Sequence, residues 1–452
     1  MALRCGQTEA WYGPSTDFPS FPLCGPTLYI MYIKLKALLL TGAVCLLMTS
    51  SAAAQERLSR IDSMILRHMR AQHIPGASAL VIHHGRIIYN KQFGYADPAS
   101  GRRMQQQDIF RIASQSKAIT SLAAMMLWEE GKFLLDDPLS RYLPAFAQPQ
   151  VLATFNERDS SYTTRPASRE IRIRDLLRHT SGIAYAAVFS DPVMQAIYRK
   201  AGVPSGIGTT ASTLKEKMAL LATLPLQHDP GTAFTYGLNT DLLGYLIEIW
   251  SGQPLDVFLQ QRIFDPLEMK DTHFHLPAEK HHRLAALYET AHDQLREVDH
   301  PIYEGVDPLF PTLRGTYLSG GAGLSATIGD YARFLQFMMN KGVYKGKRLI
   351  SPATAALMLT NQLTADVRIS PDPPQPEDFG FSLGGYALET AKNDYLSPAA
   401  VGAFGWGGAF NTHGWADPAN ELVAVLFTQE YLSPWFSIGE EFKVLVYQAL
   451  VP

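Results

Sequence analysis

The chain has 452 residues, is 46% hydrophobic and 18% charged, and sets 39 Lys+Arg against 42 Asp+Glu for a net charge of −3. The apolar share excludes a disordered chain, and the absence of a basic excess excludes nucleic-acid binding as the main business. No run of about 18 apolar residues occurs, so neither a multi-span membrane protein nor any stable membrane span is expected.

Residues 1–30 are scattered with Pro, Gly and Ser and show no periodicity. From Met31 the pattern changes: Lys34 and Lys36, an apolar stretch from Ala37 to Met48, then Ser51-Ala52-Ala53-Ala54-Gln55. A cationic start, a short apolar core and small residues before a cut describe a secretory leader. The expected organisation is therefore a non-native upstream extension (1–30), a signal peptide (31–54) and one domain (55–452), exported to the periplasm or secreted. N-terminal sequencing of the native product checks this, and a mature start upstream of Met31 would overturn it. Cys5, Cys24 and Cys45 all precede Gln55, so the mature chain would have no disulfide, thiolate site or cysteine nucleophile. Val44 is bulkier than a lipid-attachment site at Cys45 ordinarily takes, which favours cleavage over a lipid anchor.

Leu58, Ile61, Met64 and Ile65 recur at helical spacing and predict a helix over Arg57–Met69. Ser78–Ile82 and Arg86–Tyr89 are β-rich runs around His83-His84-Gly85, a hairpin signal. A second amphipathic helix is expected from Ser114 to Glu130, stopped at Gly131. The stretch of about 115–340 reads as mostly helical, most clearly at Arg174–Arg178, Thr213–Thr223, Thr240–Trp250 and Asp330–Met339. Beyond Pro371, Pro373, Pro374 and Pro376 strand composition returns at Gly380–Leu388, Thr412–Ala416 and Leu422–Thr428, and Phe442–Leu450 is helical. Strands at both ends with helices between predict an α+β fold: one antiparallel sheet built from both chain ends, flanked by helices, with a mostly α-helical inserted region. Segments of about 140–170, 185–215 and 299–318 carry no readable signal, and neither does the oligomeric state.

The chemical signal is Ser114-Gln115-Ser116-Lys117 at the start of the second helix. Residues three apart share a helix face, so the Ser114 hydroxyl and the Lys117 amine can meet. A serine hydroxyl needs a neighbouring base to become a nucleophile. Burial and the positive end of a helix dipole both disfavour an ammonium ion, which is what a lysine base requires. Four residues alone are weak, and a helix cap beside a solvated lysine would satisfy the same pattern.

With its surroundings the pattern resembles the serine β-lactamase-like family of class C β-lactamases, penicillin-binding proteins and related esterases, and within it the family VIII carboxylesterases. Phe110–Lys117 is followed in order by Gly131–Pro138, Ile173–Leu177 with His179-Thr180-Ser181-Gly182, and Pro230-Gly231 before Phe234-Thr235-Tyr236. Asp241–Gly244, Gly320–Leu324 and Trp406-Gly407-Gly408 complete a resemblance over about 57–450. It implies a β-lactamase-like fold, Ser114 as nucleophile, Lys117 and Tyr236 as proton-handling partners, and the backbone N–H groups of Ser114 and Ala409 as an oxyanion hole. Two such donors commonly contribute roughly 2.7–4 kcal/mol each. The second motif departs from the family's Tyr-x-Asn: the chain reads Tyr236-Gly237-Leu238, with Asn239 one place late. Leu238 and Asn239 are expected to face substrate together with Trp406, Gly407 and Gly408. Where β-lactamases carry Lys-Thr-Gly, an indole replaces the cation and offers one neutral donor and an apolar face. The implied activity is a serine hydrolase forming an acyl-enzyme, most simply a carboxylesterase on small esters. Alternatives are a β-lactamase, a D-amino-acid peptidase or transferase, and a penicillin-binding-like protein with little turnover. The implied partner is thus a small-molecule ester, amide or β-lactam, with no metal and no organic cofactor required.

Gly380-Phe381-Ser382-Leu383-Gly384 also fits G-x-S-x-G, but Gly385–Leu388 continues strand-like where a nucleophile elbow needs a helix. His273, His275, His281 and His282 crowd together without cysteine or carboxylate partners at ligand spacing, and read as loop histidines. His179 and His413 are expected to orient neighbours.

Overall fold

The computed structural model describes residues 56–186, 190–208, 212–292, 294–303, 305–364, 367–369, 380–391 and 397–450. The leader-like segment 31–54, the three cysteines and the proline cluster lie outside these residues. The described residues from Arg57 onward belong to one compact unit.

Two stretches at opposite ends of the chain are almost wholly apolar, Ser78 and the terminal His83 aside, so they are stable only where both sheet faces are covered. They are β1 (Gly76–His83) and Leu422–Phe427, and nearly every residue in them is buried. They pair antiparallel at the centre of the sheet, Ser78 opposite Phe427 through His83 opposite Leu422. β1 turns back into β2 (Arg86–Asp97) through His84 and Gly85, both at positive φ (49° and 70°), the conformation a two-residue hairpin loop demands. With β3 (Arg102–Arg103), β4 (Gly380–Phe381), β5 (Ala387–Leu388), β6 (Phe404–Gly408), β7 (Thr412–Asp417) and β8 (Leu422–Phe427), the sheet order is β4-β5-β6-β7-β8-β1-β2-β3.

Alternation along the central strands sends two sets of side chains to opposite faces. Ala79, Val81, Ala424 and Leu426 pack with Ile61, Ile65, Phe442 and Val446 from α1 (56–70) and the C-terminal helix Ile438–Ala449. Leu80, Ile82, Val423 and Val425 enter the larger core with α2 (Ser116–Glu129), α3 (Asn239–Ser251) and α4 (Ile328–Met339). α2 is buried on all sides, from Ser116 through Leu127, with Thr120 and Ser121 among mostly apolar residues. That burial makes it a rigid mount for whatever stands at its first turn. The architecture is α+β with a large antiparallel sheet, as the resemblance implies.

Element boundaries differ from the expectation in instructive places. Gly380–Leu388 is not one strand: β4 and β5 are two-residue strands, and the chain reverses between them at Gly385 with φ 73°. The segments without readable signal contain a hairpin, Gln150–Asn156 with Ser161–Pro166, and a helix, Pro192–Ala201. The Ser161–Pro166 strand is exposed throughout, so no hydrophobic alternation marks it.

Candidate active site

Ser114 is displayed by a forced turn. Strand Ile109–Arg111 pairs with Ser325–Thr327 and runs into the 3₁₀ turn Ala113–Gln115, which feeds directly into α2. Ala113 sits at φ 42°, a left-handed conformation that an alanine adopts only when its surroundings impose it. Here its methyl group is buried with Ala322 and Phe410. Ala113, Gln115, Ser116 and Lys117 are all buried, and Ser114 alone among them is half-exposed.

Lys117 has no exposed surface. Its Nζ donates to the Gly321 carbonyl at 2.8 Å and to Ser114 Oγ at 3.3 Å. It lies 4.5 Å from the centre of the Tyr236 ring and 5.7 Å from that of Tyr185. A carbonyl, a hydroxyl and two aromatic faces thus replace water around a buried amine. The Tyr236 hydroxyl accepts a hydrogen bond from Trp406 Nε1 at 3.1 Å. One face of the Tyr236 ring stacks on His179, 4.9 Å between centroids, and Tyr185 meets it edge-on at 5.6 Å. His179 Nδ1 accepts from Asn239 Nδ2 at 3.0 Å. Burial, with the Lys117 charge, holds the imidazole well below its ordinary range, so it packs as a neutral plate.

Asp241, in the first turn of α3, brings a carboxylate to the same wall and is fully buried. A Cβ at Gly321 would lie 2.9 Å from Asp241 Oδ2 and 3.7 Å from Lys117 Nζ, so only glycine fits between the two groups. Burial raises the Asp241 carboxyl to about 6, against the downward pull of the Ser319 hydroxyl and Lys117. Tyr185 and Asp241 were given no role from sequence. The available signal was Asp241 itself, a carboxylate beside the apolar run Leu242, Leu243, Leu246 and Ile247.

The strand carrying Trp406-Gly407-Gly408 is β6, and it lies directly against the Ser114 turn. Gln115 Nε2 donates to the Trp406 carbonyl at 3.2 Å. Gly408 approaches the Ile112 carbonyl so closely that any side chain would overlap it. Ala409, next in the chain, packs against the cluster that holds Ala113. The structure therefore gathers Ser114, Lys117, Tyr236, Trp406, Gly407, Gly408 and Ala409 at one place. It does not bring Leu238 and Asn239 to a substrate. Both are fully buried: Leu238 lies in the core beneath Gly206, and Asn239 is spent on Ser181 Oγ at 2.5 Å and on His179. With its amide so engaged, Asn239 braces the Tyr236 platform from behind.

Ser382 is buried in the β4–β5 turn, where its hydroxyl accepts from Tyr386 N at 3.2 Å, and no helix follows it. His273 contacts Lys280 Nζ at 3.1 Å and His281 the Leu276 carbonyl at 2.9 Å. His273 and His275 are half-buried rather than loop-exposed. Among the described residues no three His, Cys, Asp or Glu side chains converge as a metal site would require.

The β-lactamase family model matches residues 61–441. Protein Rv1367c of Mycobacterium tuberculosis is 33% identical over 360 residues, covering 79% of this chain and 86% of that protein. Esterase EstB of Burkholderia gladioli is 30% identical over 382 residues, covering 82% and 90%. Among solved structures, EstCE1, a hydrolase with promiscuous acyltransferase activity, superposes with a TM-score of 0.73 at 26% identity, covering 88% of this chain and all of that one. A match over nearly the whole domain, on the fold that sets a serine above a buried lysine, means that this chain belongs to the β-lactamase family and is a serine hydrolase.

Proposed function

We propose that the protein is a carboxylesterase of small, neutral esters, acting through an acyl-enzyme on Ser114. Ser114 Oγ attacks the ester carbonyl carbon, and its proton passes to the Lys117–Tyr236 pair. The backbone N–H groups of Ser114 and Ala409 hold the oxyanion of the tetrahedral intermediate. Collapse breaks the bond to the alcohol oxygen, which takes the proton back from the pair. Water then attacks the acyl carbon by the same route and frees Ser114.

The observation that carries the ester assignment is the 3.1 Å hydrogen bond from Trp406 Nε1 to Tyr236 Oη. Where a β-lactamase presents a cation to its substrate's carboxylate, this chain presents an indole whose single donor is already committed to the phenol. A carboxylate-bearing β-lactam gains nothing there, while a neutral ester loses nothing. The names of EstB and EstCE1 point the same way. The leader-like segment 31–54 puts this chemistry outside the cytoplasm in our reading.

Ser114→Ala is expected to abolish fluorophosphonate labelling and cut p-nitrophenyl butyrate turnover by roughly 10³-fold or more, whereas Ser382→Ala leaves both intact. Labelling that survives Ser114→Ala would overturn the assignment. A cephalosporin, or a peptide ending in a free D-residue, turned over faster than the aryl ester would overturn the substrate class. A burst of acylation without steady turnover would mark a penicillin-binding-like protein instead.

A further inference from the structure

Three consecutive residues after β8, Thr428-Gln429-Glu430, are buried between the two backbone segments that end at Ser114 and Ala409. On one side, Gln429 Oε1 accepts from Arg111 N and from Arg111 Nη1, each at 3.0 Å, and Gln429 Nε2 donates to Arg111 O at 3.2 Å. Arg111 is the last residue of the strand that leads into the Ser114 turn. On the other side, Thr428 Oγ1 donates to Asn411 O at 2.8 Å and Glu430 N to Phe410 O at 3.1 Å. Glu430 Oε2 accepts from Asn411 Nδ2 at 2.6 Å and from Ser433 Oγ at 2.8 Å, and Asn411 Oδ1 meets His413 Nε2 at 2.8 Å.

Two features of this cluster are imposed by the fold. Asn411 occupies left-handed backbone, φ 60°, in the turn between β6 and β7 that carries Ala409. Glu430 is a fully buried carboxyl whose Oε1 has no hydrogen-bond partner among the described residues, which is the costly feature. Among the described residues no lysine or arginine forms an ion pair with it, and Arg111 is held instead by Gln429 and the Ala285 and Pro308 carbonyls. A turn held in left-handed backbone beside a buried, incompletely bonded acid marks a geometry fixed by its surroundings.

We propose that Thr428–Glu430 is the spacer that sets the separation and aim of the two oxyanion donors, with Glu430 and Asn411 as positioning residues acting through the backbone of Ala409. The inference rests on the reading of Ser114 and Ala409 N–H as the oxyanion hole. An oxyanion hole works only when its donors already stand about 2.7–3.1 Å from the forming charge, so a turn free to swing loses transition-state binding and leaves substrate binding unchanged. Glycine keeps the left-handed backbone that Asn411 adopts but removes the anchor.

The test is steady-state kinetics on p-nitrophenyl butyrate with Asn411→Gly, Glu430→Ala and Glu430→Gln, each checked for wild-type circular dichroism. Asn411→Gly and Glu430→Ala should each lower kcat roughly 10- to 100-fold with KM within about threefold, and the double variant should be no worse than either alone. Glu430→Gln keeps an acceptor for Asn411 and should restore kcat to within about threefold of wild type. If Glu430→Ala fails to fold, Asn411→Gly carries the comparison. Unchanged kcat in Asn411→Gly, a loss confined to KM, or Glu430→Gln no better than Glu430→Ala would overturn the proposal. Ser114-dependent turnover that is indifferent to Asn411→Gly removes the spacer alone, whereas turnover surviving Ser114→Ala removes the acyl-enzyme reading beneath it.

Discussion

Replacing Trp406 by phenylalanine separates two roles that its position allows. The indole N–H donates to Tyr236 Oη at 3.1 Å, and its rings contact Phe381 edge-on at 5.5 Å and Tyr236 at 5.6 Å. Phenylalanine keeps much of that aromatic contact and removes the donor. A hydrogen bond between neutral groups contributes about 0.5–1.5 kcal/mol, and one to a charged group about 1.5–3 kcal/mol. In the proposed cycle charge develops on the Tyr236 oxygen as the proton passes, so the larger value applies to the transition state. That corresponds to a fall in kcat of roughly 10- to 150-fold. The resting ester does not use this donor, so KM should stay within about threefold. Stopped-flow and steady-state measurements with p-nitrophenyl butyrate separate the acylation rate from KM. A tenfold rise in KM at unchanged kcat would show the indole gripping substrate, and no change in either would show the hydrogen bond idle; either result refutes the reasoning.

Two other perturbations follow from the same geometry. Gly408→Ala would drive a methyl group into the Ile112 carbonyl and Thr412 Oγ1. Backbone cannot yield there without moving the Ser114 turn, so stability should fall by about 1–3 kcal/mol in urea unfolding and kcat should fall with it; wild-type values for both would refute the close approach. Burial lifts the Glu430 carboxyl from 4.5 to about 7. An acid raised in the folded state contributes stability that is fully present below about pH 4.5 and is lost as pH rises through 7. Glu430→Gln does not titrate, so the stability difference between variant and wild type should move in the variant's favour from pH 4.5 to pH 8, by at most about 3 kcal/mol. Urea midpoints at pH 5 and pH 8 that shift in parallel for both proteins would refute it.

The local elements were legible because each carries its own periodicity or turn chemistry. The runs Ser78–Ile82 and Leu422–Thr428 signalled strands by composition, His83-His84-Gly85 the hairpin, and the helical period of Ser114–Glu130 a helix, while the burial of that helix on every side was not legible. The exposed hairpin at 150–166 has no buried face, and so left no pattern to read. Ser114 and Lys117 were legible for the same local reason: one helical turn joins them, and tertiary structure had only to bury the amine.

Everything beyond that pair was decided by packing between distant segments. Asn239 looked available to a substrate because its position near Tyr236 in the chain is all that sequence records. The fold turns it inward to Ser181 and His179, where its amide has a complete set of partners. Trp406 reads in sequence as a missing cation. Only the crossing of β6 over the Ser114 turn makes its N–H a partner of a phenol 170 residues away. Glu430 and Asn411 showed no signal, since a polar residue near a strand end is ordinarily solvated. Most strands and helices and the serine–lysine turn follow from neighbours a few residues apart along the chain, and so are written locally. The tertiary structure decided which polar groups meet across the fold, because hydrogen bonds between remote segments obey distance in space and leave no period along the chain.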